Sequence, residues 1–70
     1  YLDRTNLTVL MTAAEVYTVS GSMGIACGLL FEAVGLGFRD FEVIEERGSF
    51  SMLYASPCYE EARARAGLDP

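Results

Sequence analysis

Histidine, lysine and tryptophan are all missing from this sequence of 70 residues. Without histidine, the chain has no Ser-His-Asp or Cys-His nucleophilic system and no histidine-containing zinc site. Without lysine, Schiff-base chemistry and the Walker phosphate loop are excluded as well. We therefore expect a non-enzymatic protein that has no catalytic residues, no cofactor and no metal site.

Positive charge is scarce. Five arginines face ten carboxylates, which gives a net charge of −5 and a pI of about 4.4. Affinity for DNA or RNA comes largely from cations that neutralise phosphates, so this balance argues against a nucleic-acid partner. It favours a protein partner with a basic surface, because complementary fields speed the encounter.

Cysteine is scarce too, since Cys27 and Cys58 are too few for a disulfide scaffold. Neither belongs to a C-x-x-C pair, and the first residues given do not follow the basic, apolar and small-residue pattern of a signal sequence. We expect free thiols and a cytoplasmic location, with a single Cys27–Cys58 bridge as the other arrangement. Cys58 is the candidate nucleophile, because a helix N-terminus lowers a thiol pKa, but a buried structural role is favoured.

The clearest local signal lies in "SPCYEEARARAG" near the C-terminus. Ser56 is a typical N-cap, Pro57 fits the first helical position, and Gly67 suits a left-handed helix end. Glutamates near the start and arginines near the end complement the helix dipole. These signals predict a helix over 57–66. Its inward stripe would be Tyr59, Ala62 and Ala66.

Two runs of alternating apolar side chains occur within residues 41–54. Period-two alternation is typical of strands, and the intervening "ERG" predicts a β-hairpin in which Gly48 takes a positive φ. Ile44 and Leu53 would lie on the outer face, where a partner can cover them. The face towards the core would carry Phe41, Val43, Phe50, Met52 and Tyr54.

The stretch "SGSMGIACGLLFEAVGLG", residues 20–37, is almost wholly apolar. Its apolar residues recur at helical spacing and predict a helix over 22–35, with Ser22 as N-cap. The glycine spacing fits no dinucleotide fingerprint. Instead, the glycines are interpreted as small residues that let this helix pack closely against other polypeptide. They are Gly21, Gly24 and Gly28.

A membrane role for residues 20–37 is the alternative, since "GIACG" is a G-x-x-x-G pair. A span needs about 20 predominantly apolar residues, and Glu32 would fall well inside that length. A nearly all-apolar helix must be buried on most sides, and one sheet face of so small a domain cannot cover it. We therefore expect a homo-oligomer or a partner protein.

The first twenty residues carry two conflicting signals. "NLTVLMT" and "EVYTVS" are rich in β-branched residues, which predicts strands over 6–11 and 15–20. However, Thr12-Ala-Ala-Glu15 matches a helical capping box. Thr5 and Thr8 would also share one helical face with Thr12 and Glu15, so a helix stays open as the alternative.

Together these elements predict a single α+β domain over residues 1–70. Whether the chain is complete, trimmed or a fragment of a longer chain stays open. The predicted order is β(β)αββα: a small antiparallel sheet, made of the C-terminal hairpin plus one or two N-terminal strands, with two helices packed on it.

An acidic patch would lie on and beside the hairpin, where it could contact a partner's arginines. A solvated face, a weak hard-cation site and an acid/base pair are the alternatives. The candidate partner-binding residues are Asp40, Glu42, Glu45 and Glu46, together with Ile44 and Leu53.

We expect an acidic interaction domain that binds a basic protein surface. The absence of lysine beside plentiful alanine, glycine and arginine indicates a GC-rich genome. Inhibitors from bacterial or phage mobile elements that block a basic enzyme fit this profile. The alternatives are an oligomerisation module of a larger protein, a fragment that lends carboxylates to a shared enzyme site, and a membrane-associated protein that uses residues 20–37.

Overall fold

The computed structural model describes residues 6–67, and its regular elements are all helices. They are α1 (Leu7–Ser20), α2 (Met23–Gly35), α3 (Glu42–Glu46), a 3₁₀ turn (Gly48–Phe50), α4 (Ser51–Tyr54) and α5 (Pro57–Arg65). Because no strand occurs in this range, the predicted α+β fold with its antiparallel sheet is wrong. The described part of the chain is a small all-helical fold.

Helix α1 replaces both predicted N-terminal strands. It starts at Asn6, whose side chain accepts a hydrogen bond from the Val9 amide at 3.2 Å. Its buried residues are Leu10, Ala14 and Thr18, one turn apart on a single face. The buried Thr18 hydroxyl is satisfied because it donates to the Ala14 carbonyl at 2.7 Å. Burial of this face therefore outweighs the β propensity of the flanking valines and threonines.

Helix α2 confirms the helix predicted over 22–35, and Ser22 is its N-cap residue, although its side chain makes no capping hydrogen bond. Left-handed glycines stand on either side of α2. Gly21, at φ 85°, follows α1, and Gly37, at φ 105°, follows α2. At each of these helix ends, the amides of the glycine and of the residue after it donate hydrogen bonds to carbonyls of the last helical turns. The turn at Gly21 lets α2 fold back onto α1, its main packing partner.

The close-packing interpretation of the other two glycines is wrong. Gly24 and Gly28 are exposed on α2, and a Cβ added at either would meet no atom within 4 Å beyond the helix itself. The buried face of α2 carries larger residues instead. These are Ala26, Leu29, Leu30, Ala33 and Val34.

The predicted hairpin is replaced by α3, the 3₁₀ turn and α4. The buried residues come in pairs spaced by three, Phe41 with Ile44 and Phe50 with Leu53, which is helical spacing. Met52 and Tyr54, expected in the core, are 54% and 51% exposed. Gly48, expected at a positive φ, is not among the glycines that adopt one.

Helix α5 confirms the C-terminal prediction. The Ser56 hydroxyl accepts a hydrogen bond from the Cys58 amide, Pro57 occupies the first turn, and Gly67 has a φ of 77°. Tyr59 and Ala62 are buried as expected, and Ala66 packs at the edge of the core. This helix lies against α2 and α4.

Candidate functional site

Three of the four predicted acidic contacts belong to α3, and Asp40 precedes it. Phe41 and Ile44 lie one helical turn apart and are 2% and 0% exposed, so they anchor this segment in the core. The carboxylates lie at other positions and are exposed. We call the segment of residues 40–46 the acidic segment; its acidic members are Asp40, Glu42, Glu45 and Glu46.

The two apolar members of the predicted contact set lie elsewhere. Ile44 and Leu53 are both 0% exposed and belong to the hydrophobic core. The prediction that they lie on an outer hairpin face is wrong, because residues 42–46 and 48–54 form helical elements. In a strand, residues three apart point to opposite faces, whereas in a helix they lie on the same face. Ile44 therefore lies on the buried side with Phe41, and Leu53 with Phe50. Neither can contact a partner in this fold.

Glu45 differs from its neighbours because it is bonded to α5. Its Oε2 atom accepts a hydrogen bond from the Tyr59 phenol and another from Arg63 Nη1 at 3.1 Å. Burial raises the pKa of the Tyr59 phenol, and the hydrogen bond to Glu45 raises it further, while Arg63 opposes the rise. Tyr59 thus stays protonated and donating at neutral pH. Glu45 acts first as a link between α3 and α5.

The two arginines that flank the acidic segment contact groups outside it and do not pair with its carboxylates. Arg39 Nη1 donates to the carbonyl of Phe38 at 2.7 Å and to that of Val34, near the end of α2, at 3.3 Å. Arg47 Nη1 lies 3.6 Å from Glu15 Oε2 on α1, and the Ser49 hydroxyl donates to the same oxygen. The arginines adjacent to the segment therefore serve its attachment to α1 and α2.

Three carboxylates of the acidic segment are left without a neutralising side chain. Within residues 6–67, Asp40, Glu42 and Glu46 form no ion pair and no side-chain hydrogen bond. An exposed cluster of like charges creates a negative field that a basic surface can complement. The arrangement is suited to electrostatic recognition.

The prediction of free thiols is wrong, because Cys27 on α2 and Cys58 on α5 form a disulfide with a Cα–Cα distance of 5.9 Å. The Ser56 hydroxyl lies close to both sulfurs, at 3.6 Å from Cys27 Sγ and 3.3 Å from Cys58 Sγ. In this form Cys58 carries no thiol and offers no nucleophile. The bond instead fastens α5 to α2.

A groove of about 830 Å³ opens between α4 and α5. Its lining includes Tyr59, Glu45 and Arg63, together with the more exposed Tyr54, Pro57 and Glu60. The rings of Tyr54 and Tyr59 meet edge to face with centroids 5.0 Å apart.

This groove cannot be predicted from the alternating pattern of residues 41–54, because that pattern places Tyr54 in the core. One sequence signal does indicate part of the groove. The predicted helix start at Pro57 places Glu60 one turn further along, on the same side of α5 as Pro57.

Within residues 6–67 no three histidine, cysteine, aspartate or glutamate side chains come together to hold a metal ion. Over the same range, no helix has both the length and the apolar character that a bilayer crossing requires.

No known protein family, curated protein or solved structure matches this sequence. Any proposal about function therefore depends on the geometry and chemistry of the chain itself.

Proposed function

We propose that this chain is a non-enzymatic interaction domain that binds a basic surface of another protein through its acidic segment. The observation that supports this proposal most directly is the set of three exposed carboxylates, Asp40, Glu42 and Glu46, which form no ion pair within residues 6–67. Because Phe41 and Ile44 hold the segment on the core, these charges are presented from a fixed position.

Charge complementarity acts mainly on the rate of encounter and on the choice of partner. The net charge of −5 attracts a basic protein at long range, and the acidic segment directs it at short range. The narrower prediction of an inhibitor that blocks a basic enzyme from a bacterial or phage mobile element is one form of this proposal.

The test is affinity capture from the source cells with the wild-type protein and the variant D40N/E42Q/E46Q, at rising salt concentration. Glu45 is left intact because its hydrogen bonds to Tyr59 and Arg63 are structural. We expect the wild type to retain a specific protein with a basic surface and the triple variant to lose it. Retention should fall as salt rises, because exposed charges are screened over about 8 Å at physiological ionic strength.

A pair of single variants provides the matched control. E46Q and E61Q each remove one exposed carboxylate, from α3 and α5 respectively. We expect E46Q to weaken retention and E61Q to leave it nearly unchanged. Capture of the same partner by the triple variant, with an unchanged salt dependence, would contradict the proposal.

Self-association is the second candidate function, and a different observation favours it. Val16 and Val19 on α1 and Ile25 on α2 are 60%, 67% and 52% exposed, close in sequence to the turn that joins the two helices. Apolar side chains grouped on a surface are typical of protein contacts. A homo-oligomer would bury them. The sequence also predicts a homo-oligomer, but on the ground that the helix within residues 20–37 is almost wholly apolar.

Sedimentation of the purified protein over a range of concentrations tests this second function. We expect the wild type to show a concentration-dependent increase in mass and the variant V16T/V19T/I25T to remain monomeric. A wild-type monomer at every concentration would contradict it.

The disulfide bears on the expected location. Disulfides persist in oxidising compartments and are rare in the cytosol, where thiols are kept reduced. The cytoplasmic location stays a prediction, and the Cys27–Cys58 bond weighs against it. Thiol labelling of the protein in intact source cells tests it, since a cytoplasmic protein would be labelled at both cysteines.

A further inference from the structure

We propose that the groove between α4 and α5 receives an arginine side chain of the basic partner, with Tyr54 stacking on its guanidinium and Glu60 pairing with its charge. This inference rests on the proposed function, to which it adds a definite contact. It places a binding site beside the acidic segment, on residues that the sequence analysis did not select.

The fold already contains two internal examples of the same recognition chemistry. In the first, the Arg63 guanidinium lies 5.8 Å from the ring centroid of Phe41 and 5.9 Å from that of Tyr59. Its Nη1 atom pairs with Glu45 at 3.1 Å. An aromatic surface and a carboxylate thus hold one arginine together.

The second example is at the other side of α5. The Arg65 guanidinium lies 4.1 Å from the ring centroid of Phe31, and its Nη2 atom is 3.7 Å from Glu61. Again, one arginine is shared between an aromatic ring and a carboxylate.

A third aromatic–carboxylate set lines the groove, and no arginine of residues 6–67 engages it. Tyr54 is 51% exposed, and its ring is held edge to face against Tyr59. Glu60 is exposed and forms no ion pair within the described residues. Arg63 also lines the groove, but it is engaged by Glu45 and Tyr59. The set is complementary in charge to a further guanidinium.

Arginine fits this set better than lysine does. Its planar guanidinium stacks on a ring and forms bidentate contacts with a carboxylate, whereas the lysine ammonium is a compact, strongly hydrated point charge. A partner arginine could then stack on Tyr54 while its outer nitrogens reach Glu60. Pro57, exposed at the same groove, adds a rigid apolar edge for the methylene stem.

The test is a nuclear magnetic resonance titration of the ¹⁵N-labelled, disulfide-bonded protein with Nα-acetyl-arginine amide. The lysine amide and the uncharged citrulline amide are the comparison probes. We expect saturable shifts of the amides of residues 54–60 with the arginine probe, weaker binding of lysine, and none of citrulline. Y54A should weaken arginine binding about two- to fivefold, which is the effect of losing one exposed cation–π contact.

The controls use matched side chains. Y54F keeps the ring and should retain affinity, whereas Y17A removes another exposed tyrosine, on α1, and should have no effect. E60Q should weaken binding more than E61Q does. Arginine shifts that ignore Y54A and E60Q, or that are matched by citrulline, would overturn the groove site.

The same titration distinguishes this inference from the proposed function. If arginine binds diffusely around residues 40–46 while the captured partner still depends on those carboxylates, the groove site fails and the proposed function stands. If arginine maps to Tyr54 and Glu60 while D40N/E42Q/E46Q keeps its partner, the acidic segment is not the recognition surface, although the groove site stands.

Discussion

Helices α3 and α5 both present carboxylates to solvent, but they are held in different ways. Helix α5 has a side-chain cap from Ser56, a proline in its first turn and a covalent bond to α2. Helix α3 has only five residues and no side-chain cap. It is held by buried Phe41 and Ile44 and by the hydrogen bonds of Glu45 to α5.

The difference shows that α5 is stabilised by local signals and a covalent bond, whereas α3 is stabilised by its packing on the core. A helix as short as α3 is not stable by itself, so its conformation comes from tertiary packing. The local signals and the disulfide hold α5 in place. Helix α3 is attached to α5 because Tyr59 and Arg63 donate hydrogen bonds to Glu45. We therefore expect α3 to be more sensitive to loss of core packing, and α5 to loss of the covalent bond.

The largest expected effect comes from removing the core anchor of α3. I44A should lower the free energy of unfolding by about 2–5 kcal/mol, because Ile44 is 0% exposed and its truncation leaves a cavity. M52A, at a site 54% exposed, should change it by about 0.5 kcal/mol or less. Urea unfolding followed by circular dichroism measures both. A β-hairpin would produce the reverse order of effects.

The next effect tests the covalent attachment of α5. C27A/C58A removes a crosslink between residues 31 apart in sequence, and we expect a loss of about 3–4 kcal/mol from the free energy of unfolding. Reduction of the wild type should shift the thermal midpoint in the same direction. Equal midpoints for the reduced and oxidised proteins would show that the bond contributes nothing to the attachment.

Tyr59 provides a smaller test of the link between α3 and α5. Y59F removes the phenol that donates to Glu45 and should cost about 1 kcal/mol. Because the pKa of Tyr59 is raised in the folded state, its contribution is complete below about pH 10. The contribution is lost as the pH rises through the folded-state pKa.

A pH series of denaturant midpoints from pH 8 to 11 measures that loss. The wild type should lose more stability than Y59F over the upper part of the range. Parallel curves for the two proteins would contradict the link.

The smallest expected effect on the free energy of unfolding comes from replacing exposed glycines of α2, the helix to which the disulfide joins α5. G24A should raise the free energy of unfolding by about 0.5–1 kcal/mol, because alanine favours the helix and its Cβ meets no atom within 4 Å. G28A should behave alike, while G37A should destabilise, since Gly37 has a φ of 105°. Destabilisation by G24A would instead support the close-packing interpretation.

Helices with strong local signals can be predicted from the sequence, and helices that depend on tertiary packing cannot. The sequence predicts α2 and α5 because their apolar spacing and end signals are local, such as Ser56 and Pro57 at the start of α5. The segment 41–54 supports both a period-two and a three-residue pattern, and the packing of Phe41, Ile44, Phe50 and Leu53 decides between them. The period-two alternation therefore gave the wrong element type there.

The candidate site shows a similar limit. Residue type was sufficient to predict that the four carboxylates of the acidic segment are exposed, since charged side chains are almost never fully buried unless they are paired. Their role as a binding site stays a prediction. Residue type could not show that Glu45 is engaged by Tyr59 and Arg63, because those residues are 14 and 18 positions away. The groove beside Tyr54 likewise depends on how α4 meets α5, and no sequence signal reports that contact.

The Cys27–Cys58 bond also makes a covalent ring of the chain between its two cysteines, and the acidic segment and Tyr54 both lie inside that ring. A protease that cuts one peptide bond between residues 28 and 57 therefore releases no fragment. The product remains a single molecule, heavier by one water, and separates into two pieces only after reduction. The acidic segment can thus be cut once and still stay covalently attached to α2 and α5.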